Sequence, residues 1–133
     1  MPDLKEGYFA NVKNYSRDDM PIVVTRYYPR WLGSGYRFHP ELSPSKKLLA
    51  DWKKGKIDWE QYEVRFRREM EAGKGKMMID NLAWESQYET IRLLCYEKEP
   101  PCHRFILIDL INESLNEHNA CYAEYPSKNG KEE

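Results

Sequence analysis

Two apolar segments lack any alternation of polar and apolar residues, and they limit the fold more than any other feature of the chain. Residues 21–26 contain the run Ile22-Val23-Val24, and residues 90–96 contain Leu93-Leu94-Cys95. Short runs of β-branched and aliphatic residues are typical of strands that are buried on both faces. Such strands occur in parallel sheets with helices packed against them.

Helical patterns fill much of the chain between these two predicted strands. Ser43 followed by Pro44 is typical of an N-cap and the first position of a helix. Asp58 predicts the cap of a second helix that runs to about Gly73. A third helix is predicted over residues 77–84.

The order of the elements predicts the architecture. A further short strand is expected at residues 8–12, and the apolar segment 105–116 predicts a closing helix. Strand, helical crossover, strand and helix is the order of a parallel sheet with covering helices. We therefore predict an α/β fold, a small three-layer domain whose short, mainly parallel sheet has helices on both faces. Residues 1–124 form this single domain, and residues 125–133 predict a disordered C-terminal tail.

Composition favours a folded domain and excludes several classes of protein. With 41% hydrophobic and 32% charged residues, the 133-residue chain is too apolar for disorder. It has no apolar run of the ~20 residues that a membrane helix needs and no signal-peptide pattern at its start, so we expect a cytoplasmic protein with no membrane partner. Twenty-one basic residues against 22 acidic ones provide no global positive field, which makes nucleic acid a less favoured partner.

The three cysteines are Cys95, Cys102 and Cys121. A reducing compartment keeps an odd set of this kind as thiols, and we predict no disulfide scaffold. Six residues separate Cys95 from Cys102, unlike the shorter gaps of zinc-binding cysteine pairs. We predict no metal site from spacing, and the sequence identifies no cofactor.

Ligands of parallel α/β sheets bind beyond the carboxyl ends of the strands. This rule marks the segment after Arg26 and the segment after Cys95, which are also the most unusual stretches in composition. We therefore predict a functional site where these two segments meet.

The segment after Cys95 leads into Cys102-His103-Arg104 at the predicted start of a helix. Unpaired amides and the helix dipole attract anions there, and they lower the pKa of a thiol. Cys102, His103 and Glu97 are therefore the candidate catalytic residues, and Arg104 and Lys98 are candidate ligand-binding residues. The structural alternatives stay open: Cys102 packs at the helix start, His103 bonds a loop carbonyl, and Arg104 holds Glu97 in an ion pair. Cys95 itself is expected to be a core residue.

The segment after the first strand combines arginines with aromatic residues over positions 27–43. Interleaved guanidinium groups and rings can stack on a base and clamp its phosphate. Arg26, Tyr27 and Trp31 are the ligand-binding candidates here. Arg26 is favoured because a long polar side chain at the end of a buried strand has little structural purpose. The alternative is that the loop only covers one end of the sheet.

The segment Leu93-Leu94-Cys95-Tyr96-Glu97-Lys98, followed by Cys102-His103-Arg104, resembles the family called domain of unknown function 488. Tyr8-Phe9-Ala10-Asn11 and Leu42-Ser43-Pro44-Ser45 are similar to further parts of it, and the resemblance covers about residues 8–115. It implies a compact α/β fold and no known reaction. The positions that it carries over for testing are Arg26, Cys95, Glu97, Lys98, Cys102, His103 and Arg104.

Three hypotheses about function follow, and whether the protein is an enzyme stays open at this point. The first is an enzyme or sensor that binds an anionic small molecule or nucleotide at the carboxyl ends of the strands. The second is a non-enzymatic module that binds protein or nucleic acid. The third is a metal-dependent hydrolase, which requires His39, Cys102 and His103 to converge. Substrate, oligomeric state and pathway do not follow from the sequence.

Overall fold

The computed structural model describes residues 3–124, with side chains described as far as residue 119. Four strands and four α-helices lie within these residues. The strands are β1 (Leu4–Tyr8), β2 (Met20–Val23), β3 (Arg37–Phe38) and β4 (Ile91–Cys95). The α-helices are α1 (Lys46–Lys53), α2 (Trp59–Glu69), α3 (Gly73–Glu85) and α4 (His103–Glu124).

The four strands form one parallel sheet in the order β1-β4-β2-β3. The two strands predicted from their apolar runs, β2 and β4, are the central pair. Ile22 lies opposite Leu93, and Val23 lies opposite Leu94. All four side chains are fully buried, as expected for strands covered on both faces. The predicted α/β fold is confirmed.

The two faces of the sheet are covered in different ways. Ile22 and Leu93 belong to a large core whose other members come mainly from the α-helices, among them Leu48, Phe66, Ile79 and Leu107. Val23 and Leu94 belong to a smaller cluster with Phe9 and Leu32. The segments that supply these last two residues are short 3-10 helices at Phe9–Asn14 and Arg30–Leu32. The third layer is therefore made of 3-10 turns and aromatic rings.

The strand predicted at residues 8–12 was placed too late in the chain. β1 ends at Tyr8, and the chain then turns into a 3-10 helix that buries Phe9. β1 lies at an edge of the sheet, and most of its side chains are only partly buried, so its apolar pattern is weak. Its parallel pairing with β4 depends on a contact distant in sequence.

The segment 27–43 contains a strand that its sequence did not predict. β3 has two residues, Arg37 and Phe38, which lie opposite Ile22 and Val23. His39 extends this edge by donating its backbone N–H to the Val23 carbonyl at 2.9 Å. Two residues are too few to show any period, so the pairing could only be seen in the structure.

The cap of α1 was predicted two residues too early. Ser45 is the N-cap, and its Oγ accepts a hydrogen bond from the Leu48 amide at 3.1 Å. Ser43 instead donates from its Oγ to the Pro40 carbonyl at 2.6 Å. Two serines flank Pro44, and both fit the rule for a helix start.

The other helices follow the predictions with shifted ends. Asp58 caps α2 in a capping box with Gln61, as expected. α2 ends at Glu69, and α3 begins earlier than predicted. α4 begins at His103, within the segment where a helix start was expected, and it runs past residue 116 to Glu124. No α-helix among residues 3–124 is long and apolar enough to span a membrane. The predicted tail, residues 125–133, lies outside the described part of the chain.

Candidate functional site

A cavity of about 300 Å³ opens at the carboxyl ends of β2 and β4. The two segments marked by the sequence meet here. Its lining residues are Thr25, Arg26, Tyr27, Ser43, Pro44, Leu49, Lys53, Tyr96, Glu97 and His103. The cavity therefore lies where ligands of parallel α/β sheets bind.

Arg26 provides an unsatisfied donor in the wall of this cavity. Its Nη2 donates to the Pro44 carbonyl at 2.9 Å, which holds the guanidinium in place. Its Nε is buried and has no hydrogen-bond partner among the residues that the structure describes. A buried unpaired donor is costly, and an anionic ligand would supply the missing acceptor.

Lys53 adds a second positive charge to the lining. In the sequence this residue belongs to the basic run Lys53-Lys54-Gly55-Lys56, which reads as a solvated surface. The spacing of Lys53 was the sequence signal for its position at the cavity. It follows Leu49 by four residues on α1, so the two side chains share one helix face. Both residues line the cavity.

His103 is buried at the start of α4. Its Nε2 lies 2.8 Å from the Val24 carbonyl oxygen, so this nitrogen carries the proton and donates. Its Nδ1 lies 3.7 Å from Cys102 Sγ. Burial, and next the charge of Arg104, lower the pKa of His103 to about 4, while the bond to Val24 opposes this shift. The imidazole is therefore neutral near pH 7, with an unprotonated Nδ1 directed at the cysteine.

Cys95 and Cys102 meet at the base of the site. Cys95 ends β4, Cys102 precedes α4, and both are buried. Their Sγ atoms are paired as a disulfide, contrary to the expectation of free thiols, and their Cα atoms lie 7.9 Å apart. The spacing of the two residues did not predict this convergence, because the loop between them reverses the direction of the chain.

Arg104 is fully buried and donates hydrogen bonds to the backbone of this loop. Its Nε donates to Glu6 Oε1 at 2.8 Å, and its Nη2 donates to the Lys98 carbonyl at 3.0 Å. Its Nη1 donates to the Glu97 carbonyl and lies 3.5 Å from Cys95 Sγ. Arg104 thus contacts Glu97 through its backbone carbonyl, its ion pair is with Glu6 rather than with Glu97, and it does not line the cavity.

The remaining predicted site residues lie at different distances from the cavity. Glu97 lines it, and Glu97 Oε1 lies 3.6 Å from Cys95 Sγ. Tyr27 lines it with a ring that is 66% exposed. Lys98 is exposed and is not a lining residue, and its carbonyl accepts a hydrogen bond from Arg104 outside the cavity lining. Trp31 packs edge-on against Phe9 with ring centroids 6.2 Å apart and is not a lining residue.

The ligand set expected for a metal-dependent hydrolase does not form. His39 follows β3 at the edge of the sheet, where its Nδ1 lies 3.0 Å from Glu41 Oε2. Its Nε2 accepts from Arg37 at 3.2 Å. Within the described part of the chain, the group of potential ligands that does converge is Cys95, Cys102 and His103.

The fold and the cavity define a small parallel α/β protein with a candidate site at the strand carboxyl ends. Residues 9–115 match the family model DUF488-N3a, described as "Active DUF488-N3 subclade", and the chain belongs to this family. The resemblance seen in its motifs is thereby confirmed. No curated protein and no solved structure shows a significant match to the chain.

Proposed function

We propose that this protein binds an anionic small molecule, such as a nucleotide or another phosphorylated metabolite, in the cavity between the ends of β2 and β4. The observation that carries the proposal is Arg26, a lining residue whose buried Nε has no hydrogen-bond partner among residues 3–124. Lys53 reinforces the positive charge there. Guanidinium and ammonium groups are the usual protein partners of phosphate.

The size of the cavity limits how such a ligand would bind. About 300 Å³ is at the lower end of the range for small-molecule sites. A phosphate group would fit inside, against Arg26. The base or other body of the ligand would lie at the rim, where the rings of Tyr27 and Tyr96 are 66% and 52% exposed and available for stacking.

The cavity also contains groups able to act on a bound ligand. Glu97 lines the cavity and is the acid or base in the enzymatic form of the proposal. Cys102 and His103 line a smaller adjoining space of about 80 Å³ together with Glu97. In the enzymatic version of the proposal, Cys102 is the nucleophile when its sulfur is a free thiol. If the protein is a sensor rather than an enzyme, the same residues only position the ligand.

A non-enzymatic module that binds protein or nucleic acid is the second candidate. It is favoured by the exposed rings of Trp31 and Tyr96, which both pack edge-on against Phe9. Together with Tyr27 they form an aromatic surface beside the cavity. In this case the affinity would depend on Trp31 rather than on Arg26.

Thermal unfolding of the full chain with inorganic phosphate, mononucleotides and triphosphates tests the two candidates. A ligand at 100 times its Kd should stabilise the wild type by about 2.7 kcal/mol, a shift of several degrees. We expect Arg26→Gln to abolish the shift, and Arg30→Gln, a change at an exposed arginine outside the cavity lining, to retain it.

Two results would contradict the anion site. One is the absence of any shift across the panel, and the other is a shift that persists in Arg26→Gln. Binding of single-stranded nucleic acid that is lost in Trp31→Ala and kept in Arg26→Gln would support the second candidate instead.

A further inference from the structure

We propose that Cys95, Cys102 and His103 form a binding site for a borderline divalent metal ion such as Zn²⁺, with three protein ligands and a fourth position open to the cavity. The two sulfur atoms and a ring nitrogen of His103 lie within 4.8 Å of one another, and all three residues are buried. The site does not depend on the anionic ligand proposed above.

The donor set suits zinc. Thiolate sulfur and imidazole nitrogen are its commonest protein ligands, at about 2.3 and 2.0–2.1 Å. Ligand atoms around one tetrahedral zinc ion therefore lie roughly 3.5 Å apart. The 3.7 Å between Cys102 Sγ and His103 Nδ1 already agrees with this distance.

The orientation of His103 is a second, independent observation. Its Nε2 donates to the Val24 carbonyl at 2.8 Å, which leaves Nδ1 to face the cysteines. Histidines that bind metals usually donate their other ring N–H to a carbonyl or carboxylate in this way. The ring is thus already held in the tautomer and direction that a metal ligand needs.

Positive charge lies next to both sulfur atoms. Arg104 Nη1 lies 3.5 Å from Cys95 Sγ. Cys102 precedes the first turn of α4, a helix of 22 residues, where the helix dipole stabilises negative charge. Two thiolates so placed would neutralise a divalent cation.

A disulfide between Cys95 and Cys102 competes with this site, because a sulfur atom in a disulfide is no longer a thiolate ligand. The Cα atoms of the pair are 7.9 Å apart, whereas disulfides usually join Cα atoms about 4.4–6.8 Å apart. Two sulfurs bound to one zinc ion lie farther apart than two bonded sulfurs. The backbone spacing therefore favours an ion between them.

The fourth position would face the smaller space that adjoins the cavity. Cys102 and His103 both line the small space of about 80 Å³ that also contacts Glu97 and Lys53. Zinc sites with three protein ligands and an open position are typical of catalytic sites, and those with four protein ligands are typical of structural ones. The open position would take water or an anionic group of a ligand.

Titration of the reduced, metal-free full chain with Co²⁺ as a spectroscopic substitute for Zn²⁺ tests the proposal. We expect one equivalent to bind, with a sulfur-to-cobalt charge-transfer band that Zn²⁺ removes. Cys95→Ser and Cys102→Ser should each lose the band, and Cys121→Ser, the matched control, should keep it. Circular dichroism of the metal-free variants shows whether they are folded.

Protection from alkylation gives a test that needs no variant. In the wild type, Zn²⁺ should protect Cys95 and Cys102 from an alkylating reagent and leave the reactivity of Cys121 unchanged, as shown by peptide mapping. The proposal is overturned if the reduced protein binds no Co²⁺, if the band survives in both variants, or if Cys95 and Cys102 stay disulfide-bonded under thiol reductant. A negative result with phosphate or nucleotides would leave these outcomes unaffected.

Discussion

Two arginines at the same edge of the sheet have contrasting hydrogen bonding. Arg104 is fully buried, and each of its guanidinium nitrogens has an acceptor. Arg26 is half-buried, with one nitrogen bonded to a carbonyl and another buried without a partner within residues 3–124. Residue type alone therefore does not show whether the donors of an arginine are satisfied within the fold. The difference is whether the fold itself supplies the acceptors.

The surroundings of each residue explain the difference. The loop between β4 and α4 belongs to no regular element, so the carbonyls of Glu97 and Lys98 need donors from elsewhere. Arg104 supplies those donors from the first turn of α4. Arg26 faces a cavity instead, where the Pro44 carbonyl satisfies only part of its guanidinium.

The largest effect is expected from Arg104→Met. The change leaves the carbonyls of Glu97 and Lys98 and the carboxylate of Glu6 without their donor. We expect the free energy of unfolding to fall by about 3 kcal/mol, measured by urea denaturation at pH 7. Arg30→Met, at an exposed site, should stay within about 0.5 kcal/mol of the wild type. A loss below about 1 kcal/mol for Arg104→Met would mean that water replaces the guanidinium easily.

Glu6→Gln should have an intermediate effect and separate the ion pair from the carbonyl contacts. The Glu6 side chain is 42% exposed, and a glutamine oxygen can still accept from Arg104 Nε. We expect a loss of about 1 kcal/mol or less in the same urea measurement. A loss as large as that of Arg104→Met would show that the charge of Glu6 matters more than the loop carbonyls.

Arg26→Met should have the smallest effect on stability. It removes one hydrogen bond, and it also removes a buried donor without a partner, so the two contributions oppose each other. We expect the free energy of unfolding to change by less than about 0.5 kcal/mol or to rise, because the removal of an unpaired buried donor offsets the lost hydrogen bond. A loss near that of Arg104→Met would place the two arginines in the same structural class.

Much of the fold could be predicted because it depends on local patterns. The runs Ile22-Val23-Val24 and Leu93-Leu94-Cys95 indicated the two central strands, and Asp58 indicated the cap of α2. The two edge strands were harder to predict from the sequence. β3 has only two residues, and β1 has a weak apolar pattern, so both depend on pairing with a strand distant in sequence.

The candidate site was predictable in position and not in detail. Parallel strands have their carboxyl ends at one edge, so Arg26 and Glu97 were expected to meet, and both line the cavity. Trp31 lies in the same aromatic segment as Tyr27, but its ring packs on Phe9 instead. Which side of a loop a ring faces depends on the surface it covers, and spacing does not show that surface.

The sequence by itself determined the two buried strands, the family and the edge of the sheet where the candidate site lies. These follow from hydrophobic runs, motifs and strand direction, which are properties of neighbouring residues. Only the tertiary structure decided that every guanidinium nitrogen of Arg104 has an acceptor and that Arg26 Nε has none among residues 3–124. It also brought Cys95, Cys102 and His103 together. The contacts responsible join Glu6 to Arg104 across 98 positions and Val24 to His103 across 79, and such pairings depend on the path of the whole chain.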